Sequence, residues 1–181
     1  MKKSILIIIA LFFFFNCYNE DEDNVISQSI VFTWDNDPFD NGSGTVTETV
    51  DGITVTVTSP LSNHKHSVGF MDIADADGNS KDNVVISYHP ETSIKFTFST
   101  PVYVTSIVAM SGENQNITYT FLPLEDGNAA FAKNLTPGKN VASATVDFNW
   151  TLITSFSVTS SLTLFGFDYL VVSVPIDTSS F

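Results

Sequence analysis

The chain of 181 residues carries 20 acids, 7 lysines, no arginine and a single cysteine, for a formal net charge of −13. Its length indicates one domain, and 43% hydrophobic with 13% aromatic residues supplies a core, which excludes wholesale disorder. The acid excess excludes nucleic acid, which is gripped by clustered Lys and Arg, and disfavours anionic lipid and carboxylated or sulfated sugars. One cysteine permits no internal disulfide.

Lys2 and Lys3 precede an unbroken apolar run, Ile5 to Phe15, of 11 residues. A spanning helix needs about 20 such residues, so the run reads as the core of a secretory signal. It ends at Asn16-Cys17, and this junction resembles the lipobox of bacterial lipoproteins. The resemblance implies cleavage after residue 16 and lipidation of Cys17, with an ordinary cleaved signal as the alternative. Residues 17–24 follow, with Glu20-Asp21-Glu22-Asp23 in succession. Such a run repels itself and stays solvated, so it reads as a tether. It also resembles the acidic export signal of surface-exposed lipoproteins, which implies an outer-membrane protein anchored by lipid only and facing the exterior.

Residues 25–181 read as a single all-β domain. Strand alternation at period two recurs throughout, most clearly in Ile53-Thr54-Val55-Thr56-Val57-Thr58. Further strands are predicted at Ser29–Trp34, Thr45–Val50, Asn83–Tyr88, Ile94–Phe98, Val102–Met110, Ile117–Phe121, Ala142–Phe148, Ile153–Thr159 and Leu162–Val174. Asp-Gly and Pro-Gly pairs punctuate them. Val102 and Val104 share a parity that Ile107 breaks, which predicts a bulge near Thr105-Ser106. The count and shortness of the strands point to a single antiparallel β-sandwich of jelly-roll type, with an immunoglobulin-like sandwich as the alternative.

Three stretches carry a family resemblance: Ile30–Asp35 with Val50–Val55, Ser93–Val102, and Ile153–Val158 leading into Phe165–Leu170. They resemble the opening, central and closing strands of bacterial extracellular jelly rolls, among them galactose-binding-like and carbohydrate-binding modules. The resemblance implies a sandwich and a glycan ligand. It also implies a structural Ca²⁺ between the first and last strands. Asp168, set in an apolar strand with few cations in the chain to pair it, is the first candidate ligand, with Asp35, Asp37 and Asp40 as partners. A place at a strand edge, accepting backbone N–H bonds from a neighbouring loop, is the alternative for Asp168.

A second oxygen-rich segment, Asp75, Asp77, Asn79 and Asp82, begins like an EF-hand loop but lacks its later Gly and Glu. His64 and His66 share a strand parity, yet their segment reads as a solvated loop. No nucleophile elbow, zinc-hydrolase or phosphate-loop motif is present, so the chain reads as non-catalytic. Trp150 and Trp34 are the candidate aromatic platforms for a sugar face. The expectation is a surface lipoprotein that binds neutral polysaccharide, with a structural or adhesive envelope protein as the alternative.

Overall fold

The computed structural model describes residues 27–35, 38–40, 42, 44–59, 68–72, 83–87, 93–111, 116–135, 142–162 and 164–175. Eleven strands fill this range: β1 (Ser27–Phe32), β2 (Phe39–Asp40), β3 (Thr45–Val50), β4 (Ile53–Thr58), β5 (Val68–Asp72), β6 (Asn83–Ser87), β7 (Ser93–Ser111), β8 (Ile117–Pro123), β9 (Phe131–Leu135), β10 (Ala142–Ser160) and β11 (Phe165–Pro175). Every pairing between them is antiparallel.

The strands form one hydrogen-bonded sheet that folds over on itself into two layers. One layer runs β2-β3-β4-β7-β10-β8-β9. It uses the first half of β7 and the second half of β10, paired as Phe96 with Phe156. In the other layer the second half of β7 lies between the first half of β10 and β11, and β11 pairs on its far side with β6 and then β1. The two 19-residue strands thus serve both layers. The sequence reads each as two strands, and the reason is a bend rather than a loop: Thr100-Pro101 interrupts the apolar alternation of β7 while its backbone stays extended.

The core between the layers is aromatic. Phe96 stacks on Phe156 with centroids 4.6 Å apart and meets Phe167 of the opposite layer edge-on at 5.7 Å. Tyr119 contacts Phe167 at 5.4 Å and Phe165 at 5.8 Å. Such offset and edge-to-face pairs add about 0.5–1.5 kcal/mol each beyond the area they bury. The Tyr119 hydroxyl donates to the Met110 carbonyl, and burial pushes its pKa up. Strand β8 shows how plainly the sequence encodes this core: Ile117, Tyr119, Phe121 and Pro123 are buried while the residues between them are exposed.

The expected irregularity in β7 is present. Val171 pairs with Ser106 and Val172 with Val104, so Thr105 is the extra residue. A second bulge was not foreseen. Between Asp168 and Val171 the β11 strand carries one residue more than β7, and Tyr169 sits there at φ 43°. This bulge inverts the expected parity: Tyr169 turns out to solvent, whereas Leu170 joins Phe165 and Phe167 in the core.

Gly166 of β11 lies beside β6. A Cβ there would stand 3.0 Å from Ile86 Cγ2 and 3.1 Å from the Val85 carbonyl oxygen. Gly166→Ala is therefore expected to cost about 1–3 kcal/mol, seen as a lower urea midpoint at unchanged m. A wild-type midpoint would show that β6 moves aside freely.

Candidate functional site

The site begins with a local misfit in β10. Relative to β7 this strand carries one extra residue between Asp147 and Trp150 and another between Trp150 and Ile153. These two bulges kink the strand, and Leu152 sits at the kink at φ 51° with half its surface exposed. The connection between β8 and β9 is fastened onto the kink. Leu124 N donates to Ser155 O at 3.1 Å, and Thr151 N donates to Asn128 Oδ1 at 2.8 Å. Asn128 Nδ2 returns to Thr151 O at 3.3 Å, and Trp150 Nε1 donates to Ala129 O at 2.7 Å. The Glu125 carboxylate accepts from Thr154 N at 2.7 Å and from the Thr154 hydroxyl.

Burial acts to raise the Glu125 pKa. Hydrogen bonds from the Thr154 hydroxyl and N–H, and from the N–H groups of Glu125 itself and Ser155, outweigh that and hold it below the usual carboxylate range. A depressed folded-state pKa means stability that is present above the unfolded value and lost as pH falls through the folded one. The melting-temperature gap between wild type and Glu125→Gln is therefore expected to narrow as pH is lowered from about 7 to about 3. A gap independent of pH would contradict the carboxylate clamp.

Between the fastened turn and β10 lies a groove of about 360 Å³. Its floor is the stacked pair Phe148 and Trp150, with centroids 4.3 Å apart. Phe131 forms a wall, 39% exposed and set edge-on to Phe148 at 6.0 Å. Asn128 borders the groove with its amide committed to Thr151. Asp147 and Asn149, alternate residues on β10, line it with exposed side chains that make no hydrogen bond to another described residue. The lining is therefore part aromatic and part polar, with an unengaged carboxylate and amide on one side.

Both tryptophans depart from the platform role expected of them. Trp34 is fully buried, with its ring 6.3 Å from both Phe32 and Phe70. It holds φ 61°, and its backbone N–H donates to Glu48 Oε2 at 3.0 Å. Trp150 is only 5% exposed, with one face covered by Phe148 and its N–H spent on Ala129, so it supports the groove from beneath. The exposed ring at the site is Phe131, which was not foreseen.

Among the described residues, Asp168, Asp35 and Asp40 do not form one group. Asp168 is fully buried, and its Oδ1 accepts from the N–H of the next residue, Tyr169, at 2.7 Å rather than from a neighbouring loop. Asp35 Oδ1 accepts from Asn83 N at 3.0 Å, and Asp40 Oδ1 accepts from Gly42 N at 2.7 Å. Among the described residues no three acid, His or Cys side chains form a group able to hold a metal ion. Asp37, the segment with Asp75, Asp77, Asn79 and Asp82, the three histidines and Cys17 with its tether lie outside the described residues. One oxygen of each described carboxylate is thus engaged with a backbone N–H group.

Two functional features escaped the sequence reading. Glu48 is 2% exposed in β3, inside the core. The signal was available, because Glu48 shares its parity with Val46 and Val50. The pair Asp147 and Asn149 was legible only as the polar half of an alternating strand, since the groove depends on a turn 20 residues earlier.

No family model and no curated protein matches the sequence. Solved structures similar to the chain include a family 61 carbohydrate-binding module in complex with β-1,4-galactotriose, at 12% identity and TM-score 0.37 over 67% of this chain and 88% of that one. A family 29 carbohydrate-binding module is similar at 9% identity and TM-score 0.39 over 87% and 99%. The enzymatically active domain of bacteriophage CBA120 tailspike protein 4 is similar at 11% identity and TM-score 0.37, over 75% of this chain and 21% of that one. The assignment of this chain as an antiparallel β-sandwich rests on its own strand pairings.

Proposed function

We propose that this protein is a non-catalytic, glycan-binding β-sandwich that takes neutral polysaccharide in the groove between the β8–β9 turn and β10. The observation that carries the reading is the groove's lining. A sugar ring has an apolar face and a rim of hydroxyls, and here the exposed Phe131 ring lies beside the open Asp147 and Asn149 side chains. Hydrolysis of a glycoside needs two carboxyl groups across the scissile bond. Among the described residues lining the groove, Asp147 supplies the single one. The anchor at Cys17 and the acidic tether complete the proposal: the domain stands off the outer membrane and faces the exterior.

The test is affinity electrophoresis of the purified protein through soluble glucan, galactan, mannan and xylan. At least one is expected to retard it. Phe131→Ala is expected to weaken that retardation about tenfold, as loss of a central aromatic contact does. Uniform mobility across the panel overturns the reading.

A second reading is favoured by one observation. Leu122 and Leu124, at alternate positions of the β8 segment, and Leu152 on β10 are 48%, 50% and 50% exposed. Such leucines suit an adhesive contact with another envelope protein. That reading predicts co-purification with a membrane partner, abolished by Leu122→Glu, together with indifference to all four sugars.

A further inference from the structure

We propose that Asp147 makes the groove discriminate by charge, accepting hydroxyls of a neutral glycan and rejecting the same glycan when it bears carboxylates. The inference rests on the glycan reading above and names the residue that sets its ligand class. Asp147 and Asn149 are two residues apart on one strand, both exposed and both lining the groove. Phe148 and Trp150 are buried, so Asp147 and Asn149 carry the exposed polar part of the β10 lining. A carboxylate with both oxygens open accepts from a vicinal pair of hydroxyls, while the neighbouring amide both donates and accepts.

Among the described residues lining the groove, none offsets the charge of Asp147. Among the described lining residues it is the only charged one, and Lys133, two residues beyond Phe131 on β9, is not part of the lining. Glu125, the nearest other acid fastened to the kink, points its carboxylate at Thr154. Asp126 sits in the turn itself, adjoining the groove at Gly127, and adds to the same sign of field. A carboxylated sugar in contact with Phe131 would bring like charge against Asp147 in a partly desolvated site, where repulsion is only weakly screened.

The test separates this local effect from the protein's overall acidity. The neutral hexose polysaccharide (glucan, galactan or mannan) that retards the wild type most is compared with its own form oxidised to carboxylate at C6, at low and moderate salt. A wild type retarded by xylan alone overturns the filter's assignment to such a ligand. Three proteins are run: wild type, Asp147→Asn, and Asp51→Asn as a control of equal net charge. Asp51 lies in the β3–β4 turn outside the groove, and Asn there preserves an acceptor for Gln28 Nε2.

Wild type and Asp51→Asn are expected to bind the oxidised form at least about tenfold more weakly than the neutral one. Asp147→Asn is expected to close most of that gap while binding the neutral form a few-fold more weakly. If Asp147→Asn discriminates as strongly as Asp51→Asn, the charge filter is overturned and glycan binding stands. If wild type binds both forms equally, the filter is likewise overturned. If no neutral polysaccharide retards the wild type, the groove reading fails and the filter falls with it.

Discussion

Trp150→Ala is expected to lower the melting temperature by roughly 10 °C. The indole is stacked on Phe148 at 4.3 Å, lies 5.4 Å from Phe156, and donates its N–H to Ala129 O. Removing a buried aromatic side chain costs about 3–5 kcal/mol, and in a chain of this size each kcal/mol shifts the melting temperature by roughly 2–4 °C. Trp150→Phe keeps most of the stack and loses the hydrogen bond, so it is expected to cost about 1–2 kcal/mol. An exposed sugar platform would behave in the opposite way, with Trp150→Ala melting like wild type and failing only in binding. Thermal melts of the two variants separate a supporting role from a contacting one.

The second large effect is expected at Glu48. Its carboxylate accepts the N–H of Trp34, a bulky residue held at φ 61°, a conformation that side chains other than Gly, Asn and Asp rarely adopt. Glu48→Ala removes that acceptor from a dry site and opens a cavity beside it. Leaving a buried N–H without a partner costs about 1–3 kcal/mol, and the cavity adds to it, so a loss of about 3 kcal/mol is expected. Glu48→Gln retains an acceptor and is expected to lose less than half as much. Urea unfolding at neutral pH reads both. A Glu48→Ala midpoint equal to wild type would show that the Trp34 turn does not depend on the carboxylate.

Glu48 also shows where reading the sequence stopped short. The stretch Thr45-Val46-Thr47-Glu48-Thr49-Val50 was legible as a strand, and its parity places Glu48 with the two valines. Polarity suggested solvent, but the inward position prevailed because the Trp34 N–H supplies the carboxylate with a buried donor. Thr105 behaved differently. There the apolar parity itself slips, so the bulge could be inferred from residue types alone. Tyr169 could not, because Phe165, Phe167, Tyr169 and Val171 keep a regular alternation, and only the change of neighbour from β6 to β1 along β11 accompanies the break.

The groove was the least legible feature, for a topological reason. Its polar side lies on β10, its aromatic wall opens β9, and the two meet because Glu125 and Asn128 are hydrogen-bonded to Thr154 and Thr151. Those contacts span 23 to 29 residues and follow no periodic pattern. The strands β2, β5 and β9 were missed for a simpler reason: β2 has two residues, and Val68-Gly69-Phe70-Met71-Asp72 and Phe131-Ala132-Lys133-Asn134-Leu135 show no clean apolar alternation, so pairing supplies what the run cannot show.

The claim that glycan is held between the β8–β9 turn and β10 is tested most directly by titrating the ¹⁵N-labelled protein with short oligosaccharides cut from the polysaccharides above. Backbone amide shifts at Asn128, Phe131, Asp147 and Asn149 are predicted to move together, while those of Thr47 and Thr56 on the outer face of β3 and β4 stay fixed. Shifts confined to Thr47, Thr56 and their neighbours, or no shifts with any of the oligosaccharides, would contradict the account.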